Sequence, residues 1–145
     1  MEVLREVFSL PQTQPTEKLE AENRRYYQTA LQTGGHIACF ACLDGAIIGC
    51  GGVCFSREMP SPDNPSGECA YLMNIYIRPQ CRGRGAGEAL VKWLVGQAAG
   101  RGVPKIYLET SEAGKRLYRK LGFVPMQGMM KLPPGALGDG LREIQ

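Results

Sequence analysis

"IYIRPQCRGRGAGEALVKWL", residues 75–94, joins a strand pattern to a helix pattern across a glycine-rich gap. The run "ECAYLMNIYI" (68–77) is rich in β-branched and aromatic residues and reads as the clearest strand in the chain. It ends at Ile77, because Pro79 cannot donate to a ladder. From Ala86 or Gly87 onward, Leu90, Val91, Leu94, Val95 and Ala98 recur at helical spacing, until Gly100 and Gly102 stop the helix. Between the two lie Arg82, Gly83, Arg84, Gly85, Ala86 and Gly87. Backbone amides in such a loop are unobstructed and sit at the positive end of a helix dipole, which makes an anion site. Arg82 and Arg84 add charge suited to phosphate oxygens. The glycine spacing fails the dinucleotide pattern G-x-G-x-x-G, and the P-loop pattern G-x-x-x-x-G-K-[ST] is absent. What fits is R-x-x-G-x-G, as Arg82 to Gly87. Taken alone, a plain turn into a helix competes with the phosphate reading.

Working outward, "KIYLET" (105–110) reads as a short strand and "SEAGKRLYRKLG" (111–122) as a helix. Ser111 is its N-cap, Ala113, Leu117 and Leu121 share its apolar face, and Gly122 ends it. "FVPMQGMMKL" (123–132) is expected to be a last strand region. Upstream, "HIACFACLDGAIIGCGGVCFS" (36–56) reads as two strands turning at Asp44-Gly45, a strong hairpin signal. "REMPSPDNPSG" (57–67) is a loop. "EVLREVF" reads as a short helix, broken by Pro11 and Pro15. A second helix starts after Thr16 and stops at Gly34, with Leu19, Tyr26 or Tyr27, Ala30 and Leu31 on one apolar face. Strand, helix, strand, helix and strand in the second half imply a mixed α/β sheet with helices packed against it. Residues 1–132 are expected to form a single domain and 133–145 a loose tail.

The totals exclude several classes. A chain of 145 residues fits one domain, and 43% hydrophobic with 21% charged residues is ordinary for a globular protein. A net charge of +3 is too small to make nucleic acid the main partner. No run approaches the ~18 apolar residues of a membrane span, and Glu2 and Arg5 stand where a signal peptide would be basic then apolar. A cytoplasmic location and no membrane association are expected. The six cysteines then read as reduced thiols. Cys39 and Cys42 lie three apart on a strand, so they point to opposite faces and do not readily share a metal. No metal site is expected. His36 starts a strand with no partner in sequence and reads as a turn or edge residue.

"MNIYIRPQCRGRGAGEALV" and "LYRKLGF", in that order with a strand between, resemble the GNAT superfamily of acetyl-coenzyme A-dependent N-acyltransferases. The likeness extends over residues 37–132. It implies a GNAT-like fold with one three-layer domain. It also implies that the amides of Arg82 to Gly87 hold the coenzyme A pyrophosphate, and that the pantetheine arm lies along Ile75, Tyr76 and Ile77. In the family two central strands splay apart, and a freed amide there can polarise the acetyl carbonyl. The implied reaction moves an acetyl group from acetyl-coenzyme A to a primary amine of a small molecule or peptide, by direct attack in a ternary complex. No metal and no covalent intermediate are needed.

The resemblance also assigns roles. Tyr118 matches the family's tyrosine, the candidate general acid for the coenzyme A sulfur. Tyr71 stands where many members carry an acidic residue and cannot act as base unaided, with Glu68 three residues earlier. Glu109, at the end of "IYLET", is the better candidate base, working through water. Asn74 could order that water. Lys115, Arg116, Arg119 and Lys120 form a basic helix face, solvated or facing the 3′-phosphate. The family's usual first strand has no counterpart before "EVLREVFSL", which leaves a sheet edge uncovered and favours a homodimer. The same departure, with Tyr71, motivates the alternative of a weakly catalytic coenzyme A-binding sensor or partner protein.

Overall fold

Strands β1 (His36–Leu43) and β2 (Ala46–Arg57) turn about Asp44 and Gly45. Both turn residues have positive φ, 48° and 79°, the primed geometry that matches the twist of paired strands. β2 pairs antiparallel with β3 (Glu68–Ile77), and β3 pairs parallel with the short β4 (Lys105–Leu108), giving the order β1-β2-β3-β4. Parallel neighbours need a crossover; here it is helix α3 (Ala86–Gly100). Helices α1 (Glu2–Val7) and α2 (Glu17–Thr33) precede the sheet, and α4 (Glu112–Lys120) follows it. The chain therefore builds the expected mixed α/β domain. This computed structural model describes residues 2–132. The expected tail, 133–145, lies outside the described residues.

Two neighbouring glycines in β2 separate the sheet's faces. A Cβ on Gly51 would approach Leu90 and Leu94 of α3 at 3.0 and 3.1 Å, whereas one on Gly52 would lie 2.3 Å from His36 Nε2. Cross-strand register extends this division. The row Ile37–Val53–Leu72–Leu108 joins the α3 side, where Val53, Leu72, Val91 and Leu94 form the buried centre. The row His36–Cys54–Tyr71–Tyr107 lies on the opposite face, beneath α2 at its His36 end. α1 reaches that face at Tyr76, whose hydroxyl donates to Glu6 at 2.6 Å. α4 returns to the α3 side through Leu117 and Tyr118.

Several boundaries follow their local signals. Gly34 closes α2 in the left-handed conformation, φ 74°, and the Ser111 hydroxyl accepts from the Gly114 amide at 3.4 Å, as an N-cap should. Thr16 precedes α2 but does not cap it. Its hydroxyl instead accepts from Arg5 (3.0 Å), which also binds the carbonyls of Pro11 and Gln14. Two expectations fail. Residues 123–132 hold no strand: Pro125 lacks an amide, Gly128 turns the chain at φ 82°, and Val124 and Met130 are 81% and 99% exposed. Only Phe123 docks, edge-on to Tyr118. The apolar face of α2 is also narrower than its pattern. Leu19 and Leu31 remain 42% and 50% exposed and only Ala30 is buried, because the helix packs chiefly on the edge strand β1.

His36 is not an edge residue. It is 2% exposed, lies edge-on to Tyr26 and Tyr27, and shares a 3.0 Å hydrogen bond with the Tyr26 hydroxyl through Nδ1. Its Nε2 has no partner among the described residues. Burial pushes its pKa below the ordinary 6.5, so it stays neutral when folded while the unfolded chain takes up a proton near 6.5. The unfolded state then binds more protons, and stability falls as pH drops from about 6.5 towards the folded value. Thermal melts between pH 8 and pH 5 are expected to show this loss for the wild type and a shallower one for His36→Gln.

Candidate active site

β3 and β4 pair only from Cys69–Lys105 to Leu72–Leu108. One residue past the second contact, the β2–β3 register shifts between Cys50 and Gly52, and Asn74 takes a positive φ of 54°. Asn tolerates this region better than most residues. The irregularity turns β3 away from β4. Backbone groups from Met73 to Ile77 that face away from β2 therefore meet no strand among the described residues. A cleft of about 880 Å³ opens there, walled by β3 on one side and by Glu109 and α4 on the other.

The glycine loop forms one end of this cleft. After a 3-10 turn at Pro79–Cys81, Gly83 and Gly85 adopt φ of 75° and 84° and lead into α3. A side chain there would be strained. No amide from Gly83 to Glu88 donates a hydrogen bond among the described residues. Such a row of free donors at a helix N-terminus fits an oxyanion ligand. Arg82 does not simply wait for that ligand. Its Nε donates to the Ile77 carbonyl (2.8 Å), and its Nη2 pairs with Glu6 Oε1 (2.9 Å). Glu6 thus joins Tyr76 and Arg82.

Tyr118 faces the cleft from α4, is 9% exposed, and donates no side-chain hydrogen bond among the described residues. Burial pushes its hydroxyl pKa up, so the proton stays on oxygen at neutral pH. Glu109 lies at the end of β4, exposed and without an ion pair. Lys105, the partner its position offers, is held instead by both oxygens of Glu58 at 2.8 and 2.7 Å. Glu68 is tied to Arg57 at 3.0 Å and does not line the cleft. The Asn74 amide donates to the Tyr27 hydroxyl at 3.5 Å. On the basic face of α4, Lys115 pairs with Glu112, and Lys120 pairs with Glu88. Lys120 and Lys92 together pull the Glu88 carboxyl down to about 2. Arg116 lines the cleft without an ion pair.

A profile of the acetyltransferase (GNAT) family matches residues 3–123. The chain belongs to this family. Among solved GNAT-like structures, a predicted acetyltransferase from Clostridium acetobutylicum, crystallised with acetyl-coenzyme A, is 25% identical with a TM-score of 0.80. That match covers 91% of this chain and 86% of the other. A GCN5-related N-acetyltransferase from Ralstonia eutropha JMP134 is 27% identical, with a TM-score of 0.74 over 90% of this chain and 88% of that one. Glucosamine 6-phosphate N-acetyltransferase 1 of Oryza sativa subsp. japonica is 28% identical over 115 residues, 78% of this chain and 68% of the relative. Acetyl transfer, as a class of reaction, follows from membership.

Within this GNAT chain, the cleft brings together Ile75, Tyr76 and Ile77, most of the loop, Glu109 and Tyr118. Arg84 alone of the expected site residues stays outside the lining. Glu6 and Tyr27 carried no local signal. Glu6 meets partners 70 and 76 residues away, and Tyr27 meets Asn74 across 47. No helix among the described residues is long and apolar enough to cross a membrane.

Proposed function

We propose that this GNAT protein is an N-acetyltransferase that moves the acetyl group of acetyl-coenzyme A to a primary amine of a small molecule or peptide, by direct attack in a ternary complex. The observation that carries the reading is the single cleft joining three features: a length of β3 with no strand on one side among the described residues, free loop amides and a buried, protonated tyrosine. The fit to the cosubstrate is good on each count. The Gly83–Glu88 amides suit a diphosphate. The stretch of β3 past Leu72, which pairs with β2 but with no second strand among the described residues, suits the amide groups of a pantetheine arm, which can add to it as a strand would. Arg82, Arg84 and Arg116 offer charge to phosphate oxygens.

In this reading Glu109 accepts a proton from the acceptor ammonium through water, since only the neutral amine attacks. A backbone amide at the Asn74 irregularity donates to the acetyl oxygen as negative charge builds there. The C–N bond forms first and the C–S bond breaks as the tetrahedral intermediate collapses; Tyr118 gives its hydroxyl proton to the departing sulfur, and the second proton lost by the nitrogen passes through water to restore the Tyr118 hydroxyl. A homodimer belongs to the same reading, because β1 pairs only with β2 among the described residues and leaves one edge free. The rice relative's name makes glucosamine 6-phosphate one acceptor to test.

Acetyl-coenzyme A at 100 times its dissociation constant is expected to stabilise the fold by about 2.7 kcal/mol. A clear rise in the melting midpoint reads this out, and a flat midpoint across millimolar ligand rejects the assignment. Tyr118→Phe is expected to lower kcat about 10²-fold or more, with the ligand-induced midpoint shift retained. Unchanged turnover removes Tyr118 from the chemistry.

A further inference from the structure

On the sheet face opposite α3, just outside the cleft lining, the strands present phenol rings. Register places Tyr71 beside Tyr107, with ring centroids 5.1 Å apart, on the face that looks towards α2. Glu109 directly follows the last residue of β4 and lines the neighbouring cleft. Burial first, and then the Glu109 charge, push the Tyr71 hydroxyl up, which puts carboxylate and ring within electrostatic reach. Cys54, the β2 neighbour of Tyr71, extends the surface to His36 and the Tyr26–Tyr27 pair, whose centroids are 5.3 Å apart.

The charges on this side have one sign to spare. Lys105 shares the face and sits 5.7 Å from the Tyr107 centroid, yet Glu58 grips its ammonium with both oxygens. On α2, Arg24 and Arg25 pair with Glu20 and Glu22 of their own helix. Glu109 keeps a carboxylate without an ion pair at this rim. Unpaired guanidinium groups, Arg84 and Arg116, belong to the loop and to α4. A phosphoryl group needs several charged donors at close range; phenol faces beside a free carboxylate suit an ammonium on an apolar body.

We propose that the acceptor is a non-phosphorylated cationic amine with an aromatic or alkyl body, laid against Tyr71 and Tyr107 with its ammonium directed to Glu109. The inference rests on the transferase reading and names its substrate class. Lys105 illustrates the principle within the fold, since Tyr107 already borders one ammonium.

The test measures free-thiol release from saturating acetyl-coenzyme A with tyramine, putrescine, glucosamine and glucosamine 6-phosphate as acceptors. The kcat/KM for tyramine is expected to exceed that for glucosamine 6-phosphate by about tenfold or more. Tyr71→Leu is expected to raise the tyramine KM about tenfold, while Tyr71→Phe, which keeps the ring, retains the wild-type KM and guards against a mere folding loss. The midpoint shift given by acetyl-coenzyme A should survive in both variants. A preference for glucosamine 6-phosphate, or a tyramine KM indifferent to Tyr71→Leu, overturns the acceptor class and leaves the transferase reading intact. Thiol release with none of the four amines, while acetyl-coenzyme A still raises the midpoint, overturns both.

Discussion

Asn74 holds a left-handed backbone, φ 54°, in the middle of a ten-residue strand. That one conformation changes what the strand can do. Before it, β3 is an ordinary interior strand with neighbours on both sides. After it, β3 keeps β2 and loses β4, so polar backbone that would be paired in a regular sheet faces a cleft. Peptide groups freed in this way are costly to leave dry and well suited to an extended, amide-bearing ligand. The parallel β3–β4 pairing then serves two ends. It buries the row at Leu72 and Leu108 in the core, and it places Glu109 just past the point of divergence.

Charge is distributed with the same economy. The anion-binding amides, Arg84 and Arg116 gather towards the loop and α4, whereas Glu109 leaves the cleft wall a free carboxylate and the Tyr71–Tyr107 phenols lie on the α2 face of the same strands. Glu6 complicates the loop end. By binding Tyr76 and Arg82 together it links α1 to the strand and to the loop, so any ligand that draws on the Arg82 guanidinium competes with a carboxylate. Both groups of that pair are roughly half exposed, which limits its strength to the ~0–1 kcal/mol of surface pairs.

The legible parts of the sequence were those with short-range causes. Asp44-Gly45 demands a primed turn, Ser111 caps the helix it precedes, and Arg82 to Gly87 announce a strand-to-helix loop whose amides are bare from Gly83 onward, the Arg82 amide being held by the Pro79 carbonyl at 3.2 Å. The cleft lining follows because the loop and Tyr118 occur in an order that resembles a known family. What escaped depends on distant partners. Nothing around His36 in sequence announces Tyr26 above it or the space over Gly52 that admits its ring. Residues 123–132 have apolar content suited to a strand, yet they do not pair with the open edge of β4, since Pro125 lacks an amide and Gly128 turns the chain. Leu19 and Leu31 follow helical periodicity, yet α2 packs chiefly on an edge strand.

β3 past Asn74 and the glycine loop both present backbone groups to the cleft. Hydrogen exchange at single-residue resolution, with and without acetyl-coenzyme A, examines them directly. Slowed exchange concentrated in residues 73–77 and 83–88 is the predicted result. Ligand-induced protection elsewhere, with both of those segments exchanging as fast as in the free protein, would contradict it.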